Sequence, residues 1–118
     1  MVKGIALIKR RAGLSRDEFV EYYETNHAPL VLKHIPGIRR YVRSHITTLP
    51  GGPSGDEPDF DCISEFWFDD MEASSNGINV LASEAGDVIR EDEEKFLDRS
   101  RIVFFHVDER ESEIPSSE

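Results

Sequence analysis

The sequence predicts an α+β fold in which an antiparallel four-stranded sheet carries two helices on one side. Short apolar runs rich in branched and aromatic residues occur at four places, helical apolar spacing lies between them, and the resulting order is βαββαβ. At 118 residues the chain is long enough for one core and too short for two. We therefore expect one domain over residues 1–108 and a polar, acidic, disordered tail over 109–118.

The four apolar runs mark the predicted strands. They lie at residues 2–9, 38–46, 61–68 and 101–107. The third run holds three aromatic residues in succession, which implies burial on both faces. Residues 47–59, between the second and third strands, are dense in Gly and Pro, and we expect a mobile loop or a lid there.

The first helix is predicted to begin at Ser15. Ser15 and Glu18 form a capping box, in which hydroxyl and carboxylate satisfy free amides at the helix start. Phe19, Tyr23 and His27 then recur at intervals of four and share one face.

A proline predicts a break in this helix beside the histidine. Pro29 disfavours helical geometry at Ala28, so the helix should break near His27 and restart as a short turn over residues 30–34. The second helical region is expected in two pieces. Asp69 or Asp70 caps the first, a weak helix because it contains Asn76-Gly77, and the acidic second piece spans residues 87–98.

The first and last strands are apolar on both faces. Ile5 and Leu7 point to one face of the sheet, and Ala6 and Ile8 point to the other. Helices cover one face only, and an open apolar face of many hundreds of Å² is a liability in a small monomer. At about 25 cal/mol per Å², covering that face is worth several kcal/mol before association costs. We therefore expect a homodimer.

Charge and composition argue against several partners. A net charge of −10 argues against nucleic acid, whose phosphates require a concentrated basic surface. No apolar run approaches the roughly 18 residues of a membrane-spanning helix, so no membrane association is expected. The basic residues Lys9-Arg10-Arg11 follow the first apolar segment rather than preceding it, which argues against a secretory signal. The single cysteine, Cys62, suits a reducing compartment, and we expect a cytoplasmic protein.

The sequence contains no recognisable cofactor motif. The four histidines show no paired ligand spacing, which gives no support for a metal site. A Gly-rich phosphate loop does not follow the first strand, and the Gly-x-Ser-x-Gly pattern of serine hydrolases does not occur. We expect no cofactor.

His27 is the leading candidate for a catalytic residue. Its place on the inward helix stripe should bring the imidazole to a cavity between helix and sheet, where it can take or give a proton near neutral pH without a metal. The alternative is a structural histidine bonded to a backbone carbonyl. Glu65 and Tyr41 are candidates to orient the substrate or assist. A buried Glu65 needs a partner such as Arg43 or His27, and its alternative role is a structural ion pair.

A further set of side chains is predicted to bind the substrate. The same residue types build pocket walls and ordinary cores, so both interpretations stay open. The set consists of Phe19, Tyr22, Tyr23, His45, Trp67 and Phe96.

Several short motifs resemble those of a known family. They are Leu7-Ile8-Lys9-Arg10, Leu14-Ser15-Arg16-Asp17-Glu18-Phe19, Tyr22-Tyr23, Asn26-His27-Ala28-Pro29, Pro36-Gly37-Ile38-Arg39-Arg40-Tyr41, Glu65-Phe66-Trp67-Phe68 and Glu94-Lys95-Phe96-Leu97-Asp98. Together, from about residue 2 to 108, they are similar to the EthD-like proteins of the dimeric α/β barrel superfamily. The resemblance implies a ferredoxin-like subunit whose sheet pairs with a partner's sheet into a barrel. It also implies that His27, in the Asn-His-x-Pro element, is a candidate acid or base.

The resemblance leaves the activity open. Members of the superfamily include muconolactone isomerases, polyketide cyclases, cofactor-free quinone-forming monooxygenases, and dehydratases or decarboxylases acting on aromatic polyketides, so fold alone does not choose. The leading hypothesis is a cofactor-free lyase or isomerase, of dehydratase, decarboxylase or cyclase type, acting on a small aromatic or enolisable lactone or ketone. The alternatives are a non-catalytic small-ligand binding or accessory protein of a degradation pathway, and a cofactor-free monooxygenase.

Overall fold

A computed structural model describes residues 1–47 and 58–116 of the chain. The strands are β1 (Val2–Ile8), β2 (Arg40–His45), β3 (Cys62–Phe68) and β4 (Val103–Val107), and the helices are α1 (Arg16–Tyr22), α2 (Ala28–His34), α3 (Met71–Ala82) and α4 (Asp87–Phe96). The predicted α+β class is confirmed. Most of the loop predicted over 47–59 lies outside the described residues.

The four strands form one antiparallel sheet in the order β2-β3-β1-β4. The register places Ala6 of β1 opposite Ser64 of β3 and Phe104 of β4. Ala6 and Ser64 are buried, and they lie on the face that the helices cover. This face therefore forms one wall of the core.

The start of α1 is the predicted capping box. The Ser15 hydroxyl accepts a hydrogen bond from the Glu18 N–H, and the Glu18 carboxylate accepts one from the Ser15 N–H. The box also directs the following residues inward, and Phe19 is fully buried one position later. Local capping chemistry thus sets where the helix begins and which face it buries.

The predicted break at His27 is wrong. Tyr23–His27 forms a π-helical turn that continues directly into α2, and the Ala28 N–H donates to the carbonyl of Tyr23, five residues earlier. A proline lacks an N–H and its ring clashes with the carbonyl four residues before it in an ordinary α-helix. The extra residue in a π turn changes this geometry, so the chain stays helical past Pro29. The turn also directs His27 inward, where it is 3% exposed.

The helix predicted to be weak is twelve residues long. Of the two candidate caps, Asp70 is the one used: its carboxylate accepts a hydrogen bond from the Ala73 N–H. Gly77 lowers helix propensity but allows a close approach to the sheet, since a Cβ there would lie 3.2 Å from Cε1 of Phe68. Packing explains why a glycine occupies this position.

The last strand begins two residues later than predicted. Arg99–Arg101 forms a 3₁₀ turn, and the Asp98 carboxylate accepts a hydrogen bond from the Ser100 N–H at its start. The strand proper is Val103–Val107. Residues 109–116 contain no helix or strand and are exposed.

The second face of the sheet is open on the single chain. Pairing places Ile5 opposite Glu65 and Phe105, and Leu7 opposite Ile63 and Val103, all on this face. Val103 is 43% exposed and Phe105 is 37% exposed. The predicted two-faced apolar pattern is thus present in three dimensions. Over residues 1–47 and 58–116, no helix is long and apolar enough to cross a membrane.

Candidate functional site

A cavity of about 240 Å³ lies between the sheet and the helices. Its wall is mainly apolar and includes Ala6, Ile8, Val31, Phe66, Leu81 and Ile89. Four polar side chains also belong to the wall: Tyr23, His27, Tyr41 and Glu93. An apolar cavity of roughly 150 Å³ can hold benzene, so this one has room for a small aromatic molecule.

His27 is held at the cavity wall by Asp92 of α4. Nδ1 of His27 lies 2.9 Å from Oδ2 of Asp92, and the Tyr22 hydroxyl donates to Oδ1 of the same carboxylate at 2.6 Å. All three groups are buried or half-buried. The carboxylate accepts both bonds, which places the imidazole proton on Nδ1.

This arrangement leaves Nε2 of His27 as the basic nitrogen. Nε2 makes no hydrogen bond to any described residue, and His27 forms part of the cavity wall. Burial lowers the pKa of His27, and the hydrogen bond and charge of Asp92 oppose that change. The imidazole is therefore neutral near pH 7 and has a lone pair available to a molecule in the cavity.

Two tyrosine hydroxyls form the second polar group of the cavity. The hydroxyl oxygens of Tyr23 and Tyr41 lie 2.5 Å apart, and the Tyr23 oxygen lies 2.7 Å from Oγ of Ser64. Burial raises the pKa of both phenols well above the usual value. Both hydroxyls consequently stay protonated at neutral pH and serve as hydrogen-bonding groups.

An ion cluster lies beyond the tyrosines, at the edge of the sheet. Glu24 accepts two hydrogen bonds from the Arg43 guanidinium, and its Oε2 lies 2.7 Å from Nε2 of His45. The Arg43 bonds lower the pKa of Glu24 to about 2, against the effect of burial. The guanidinium carbon lies 4.6 Å from the ring centre of Tyr41. The cluster thus holds the Arg43 guanidinium, paired with Glu24, against the Tyr41 ring.

Glu93 is an acidic group of the cavity wall. Its Oε1 lies 3.4 Å from Nε of Arg99. Burial raises the pKa of Glu93 despite this cation. The wall therefore contains both a basic nitrogen and a carboxyl group of increased basicity.

The structure brings three of the nine predicted site residues to the cavity wall: His27, Tyr23 and Tyr41. Phe19, Tyr22 and Phe96 pack behind it, with the Phe96 ring centre 4.7 Å from that of His27. His45 makes a T-shaped ring contact with Tyr23 and bonds to Glu24, outside the wall. These four side chains thus support the cavity and do not line it.

Glu65 and Trp67 lie on the open face of the sheet, away from the cavity. Alternation along β3 places them opposite Ser64 and Phe66, which face the helices. The partner of Glu65 is Lys3 and not the expected Arg43 or His27. The Trp67 ring lies between the Lys3 ammonium, at 4.8 Å, and the Arg40 guanidinium, at 4.6 Å.

Two functional candidates, Asp92 and Glu93, were not predicted from the sequence. They lie in an acidic run that resembles a solvated helix face. A signal was present nonetheless, because Asp92 is three residues after Ile89 and four before Phe96, and all three are buried on one side of α4. Within the part of the chain that the structure describes, no group of three or more His, Cys, Asp or Glu residues is placed to hold a metal ion.

Comparisons with known proteins agree with the fold. A crystal structure of an ethyl tert-butyl ether D (EthD) family protein from Bacillus halodurans is 27% identical, covers 93% of this chain and 99% of its own, and superposes with a TM-score of 0.67. An EthD-like protein from Ralstonia eutropha is 22% identical over 91% of this chain and 89% of its own, with a TM-score of 0.67.

A third structure, from Bacteroides fragilis, is described as a dimeric protein of unknown function with a ferredoxin-like fold. It is 12% identical, covers 91% of this chain and 94% of its own, and has a TM-score of 0.58, so it supports the ferredoxin-like fold alone. Comparison with curated proteins gave no match. The EthD domain matches residues 11–100, about three quarters of the chain. The chain therefore belongs to the EthD family.

Proposed function

We propose that this protein is a cofactor-free lyase or isomerase that acts on a small aromatic or enolisable lactone or ketone. The observation that carries the proposal is the His27–Asp92 pair at the wall of an apolar cavity, where Nε2 of His27 makes no hydrogen bond to residues 1–47 or 58–116. A neutral imidazole held in one tautomer by a carboxylate is suited to proton abstraction next to a carbonyl.

The proposed chemistry is a proton transfer. Nε2 of His27 takes a proton from the carbon next to the carbonyl. The electron pair of that C–H bond becomes a C=C bond, and the π pair of the C=O bond moves onto the carbonyl oxygen. The Tyr41 hydroxyl donates a hydrogen bond to this developing oxyanion. Asp92 stabilises the imidazolium, which then returns the proton to a second carbon in an isomerisation or to a leaving group in an elimination.

The apolar wall supports this chemistry by excluding water. Charges that develop in such a cavity interact more strongly with fixed dipoles than they would in bulk solvent. Glu65 and Trp67 take no part, since they lie on the open face of the sheet.

The open face supports a homodimer as the functional form. Its apolar residues include Ile5, Leu7, Val103 and Phe105, and its central Glu65 is already neutralised by Lys3. Pairing with a second copy removes these apolar residues from water, and Glu65 stays paired with Lys3. The buried free thiol of Cys62 is in keeping with a reducing compartment such as the cytoplasm.

The proposal is tested with two compounds that need only proton transfer: α-angelica lactone, which isomerises to a conjugated lactone, and 2-tetralone, which exchanges its α-protons in D₂O. NMR follows both reactions. We expect catalysis by the wild type and a loss of roughly 10²- to 10⁴-fold in His27→Gln. His34→Gln, a histidine outside the cavity wall, is the matched control and should retain full activity. Equal rates in His27→Gln and wild type would refute the role of His27 as the base.

The internal pairing of the tyrosine hydroxyls favours one alternative, a small-ligand binding protein. In that case both compounds bind without exchange or isomerisation. The monooxygenase alternative is separated by an oxygen electrode, because it requires oxygen uptake with a phenolic substrate and proton transfer does not.

A further inference from the structure

A continuous chain of one thiol and three hydroxyl groups leads from the interior of the sheet to the cavity. Sγ of Cys62 lies 3.6 Å from Oγ of Ser64, Ser64 lies 2.7 Å from the Tyr23 oxygen, and Tyr23 lies 2.5 Å from the Tyr41 oxygen. Cys62 and Ser64 are fully buried, whereas Tyr23 and Tyr41 belong to the cavity wall. The chain therefore has one end inside the protein and one at the cavity.

The hydrogens in this chain can all point towards the cavity. The four groups have one hydrogen each and are joined by three contacts, so one hydrogen remains for a partner outside the chain. If Cys62 donates to Ser64, Ser64 to Tyr23 and Tyr23 to Tyr41, the remaining hydrogen is that of Tyr41. An anion in the cavity selects this direction, because every dipole in the chain then points its positive end towards the negative charge.

One cation, the Arg43 guanidinium, lies beside the tyrosine pair. The guanidinium carbon lies 4.6 Å from the Tyr41 ring centre, and His27 and His45 each make a T-shaped ring contact with Tyr23. Glu24 neutralises Arg43 in part, and Glu93 of α4 is the carboxyl group of the wall, paired with Arg99. A polarised donor at the end of a hydroxyl chain is a site for an oxyanion.

We propose that the chain Ser64–Tyr23–Tyr41 is an oxyanion relay and that the cavity prefers small aromatic molecules with an ionised oxygen, a phenolate or an aryl enolate. This inference rests on the proposed function, since it specifies the substrate class for the same cavity. It also assigns Tyr23 and Ser64 as positioning residues, which act through the Tyr41 hydroxyl.

The relay is tested by binding and not by turnover. 2-Naphthol is titrated with pH in the presence and absence of the protein, and its absorbance and fluorescence report the ionised form. We expect bound 2-naphthol to ionise at a lower pH than free 2-naphthol. Naphthalene, which has the same rings and no oxygen, should bind more weakly than the naphtholate.

Variants identify the source of this preference. Tyr41→Phe removes the terminal donor and should weaken naphtholate binding by roughly tenfold or more, the range for a hydrogen bond to a charged group. Ser64→Ala leaves that donor in place but shortens the relay, and should weaken binding by about two- to fourfold. Naphthalene binding should be unchanged in both variants, which shows that the cavity itself is intact.

The matched control is Ser74→Ala. Ser74 is also fully buried and makes one side-chain hydrogen bond, to His106 at 2.8 Å, outside the relay and outside the cavity wall. The Ser74→Ala variant should bind naphtholate as the wild type does. His27→Gln should keep the lowered ionisation pH of bound 2-naphthol, because the relay and not the imidazole stabilises the anion.

Three results would overturn the relay: no naphtholate bound by the wild type, wild-type binding in Tyr41→Phe, or loss of the preference in His27→Gln alone. The two proposals fail separately. Naphtholate binding that depends on Tyr41 and Ser64, with no proton transfer to either test compound, refutes the enzyme and retains the relay. Proton transfer to the test compounds, with equal naphtholate binding in all variants, refutes the relay and retains the enzyme.

Discussion

Nδ1 of His27 lies 2.9 Å from Oδ2 of Asp92, a residue 65 positions later in the chain. The contact joins the π-helical turn to α4 and gives the two nitrogens of the imidazole different roles. Nδ1 holds the proton that orients the ring, and Nε2 is left for the cavity. Tyr22 fixes the other carboxylate oxygen, so Asp92 has little freedom to turn away.

Replacing Asp92 by asparagine should lower the rate of proton transfer by about 10²-fold. The side chain keeps its size but loses the charge that stabilises the imidazolium. Because Asp92 raises the pKa of His27, the acid limb of the rate profile should also move to lower pH in the variant. Asp98→Asn, a cap on the following turn, is the control and should leave that limb in place. An unmoved limb in Asp92→Asn would contradict the role assigned to this carboxylate.

The burial of His27 predicts how stability depends on pH. Its folded-state pKa is below the ordinary 6.5, so the unfolded chain binds the proton more readily. The stability that the neutral, buried His27 contributes is fully present above pH 6.5. It is lost as the pH falls from 6.5 through the folded-state pKa, by about 1.4 kcal/mol for each unit between the folded and unfolded pKa. Urea unfolding of wild type and His27→Gln across this range should show a steeper loss in the wild type. Parallel curves would show that His27 titrates as in the unfolded chain.

Glu24 should also make the free energy of unfolding depend on pH, in a more acidic range. Its pKa is lowered from 4.5 to about 2, chiefly by Arg43, so its contribution is present above pH 4.5 and lost as the pH falls towards 2. The pair is partly exposed, and Glu24→Gln should reduce the unfolding free energy at neutral pH by about 1 kcal/mol or less. The difference should shrink below pH 4.5. Glu21→Gln, on the exposed side of α1, serves as the comparison.

The open face predicts a dimer that one substitution disrupts. Phe105→Glu introduces a charge on this face and should convert a sedimenting dimer to a monomer at micromolar concentration. Val88→Glu is matched in chemistry and exposure, since Val88 and Phe105 are both 37% exposed, but Val88 lies on α4. It should leave the dimer intact. Sedimentation of the wild type as a stable monomer would refute the assembly.

Much of the fold is predictable from local signals. The capping box at Ser15 and the short apolar runs depend on neighbouring residues only, and they identify the start of the first helix and the bounds of the four strands within one or two residues. The path through Pro29 was mispredicted because the rule for a residue before proline assumes α-helical spacing. A π turn satisfies the same backbone groups with a different spacing.

The candidate site was only partly predictable. The interval of four residues placed Tyr23 and His27 on one inward face, and both belong to the cavity wall. Glu65 was assigned to the same space because its strand is buried, but period-two alternation admits either face, and no local signal says which face the helices cover. Lys3, on a neighbouring strand, is its partner.

The sequence by itself determined the order of the strands and helices, the start of α1 and the apolar character of both sheet faces, because these depend on spacing and capping among near neighbours. The tertiary structure alone decided that Asp92 meets His27, that Ser64 and Tyr23 continue to Tyr41, and that Glu65 lies on the opposite face. The physical reason is that periodicity specifies which residues share a face of one element, whereas the packing of α4 and β3 against the π turn specifies which faces meet.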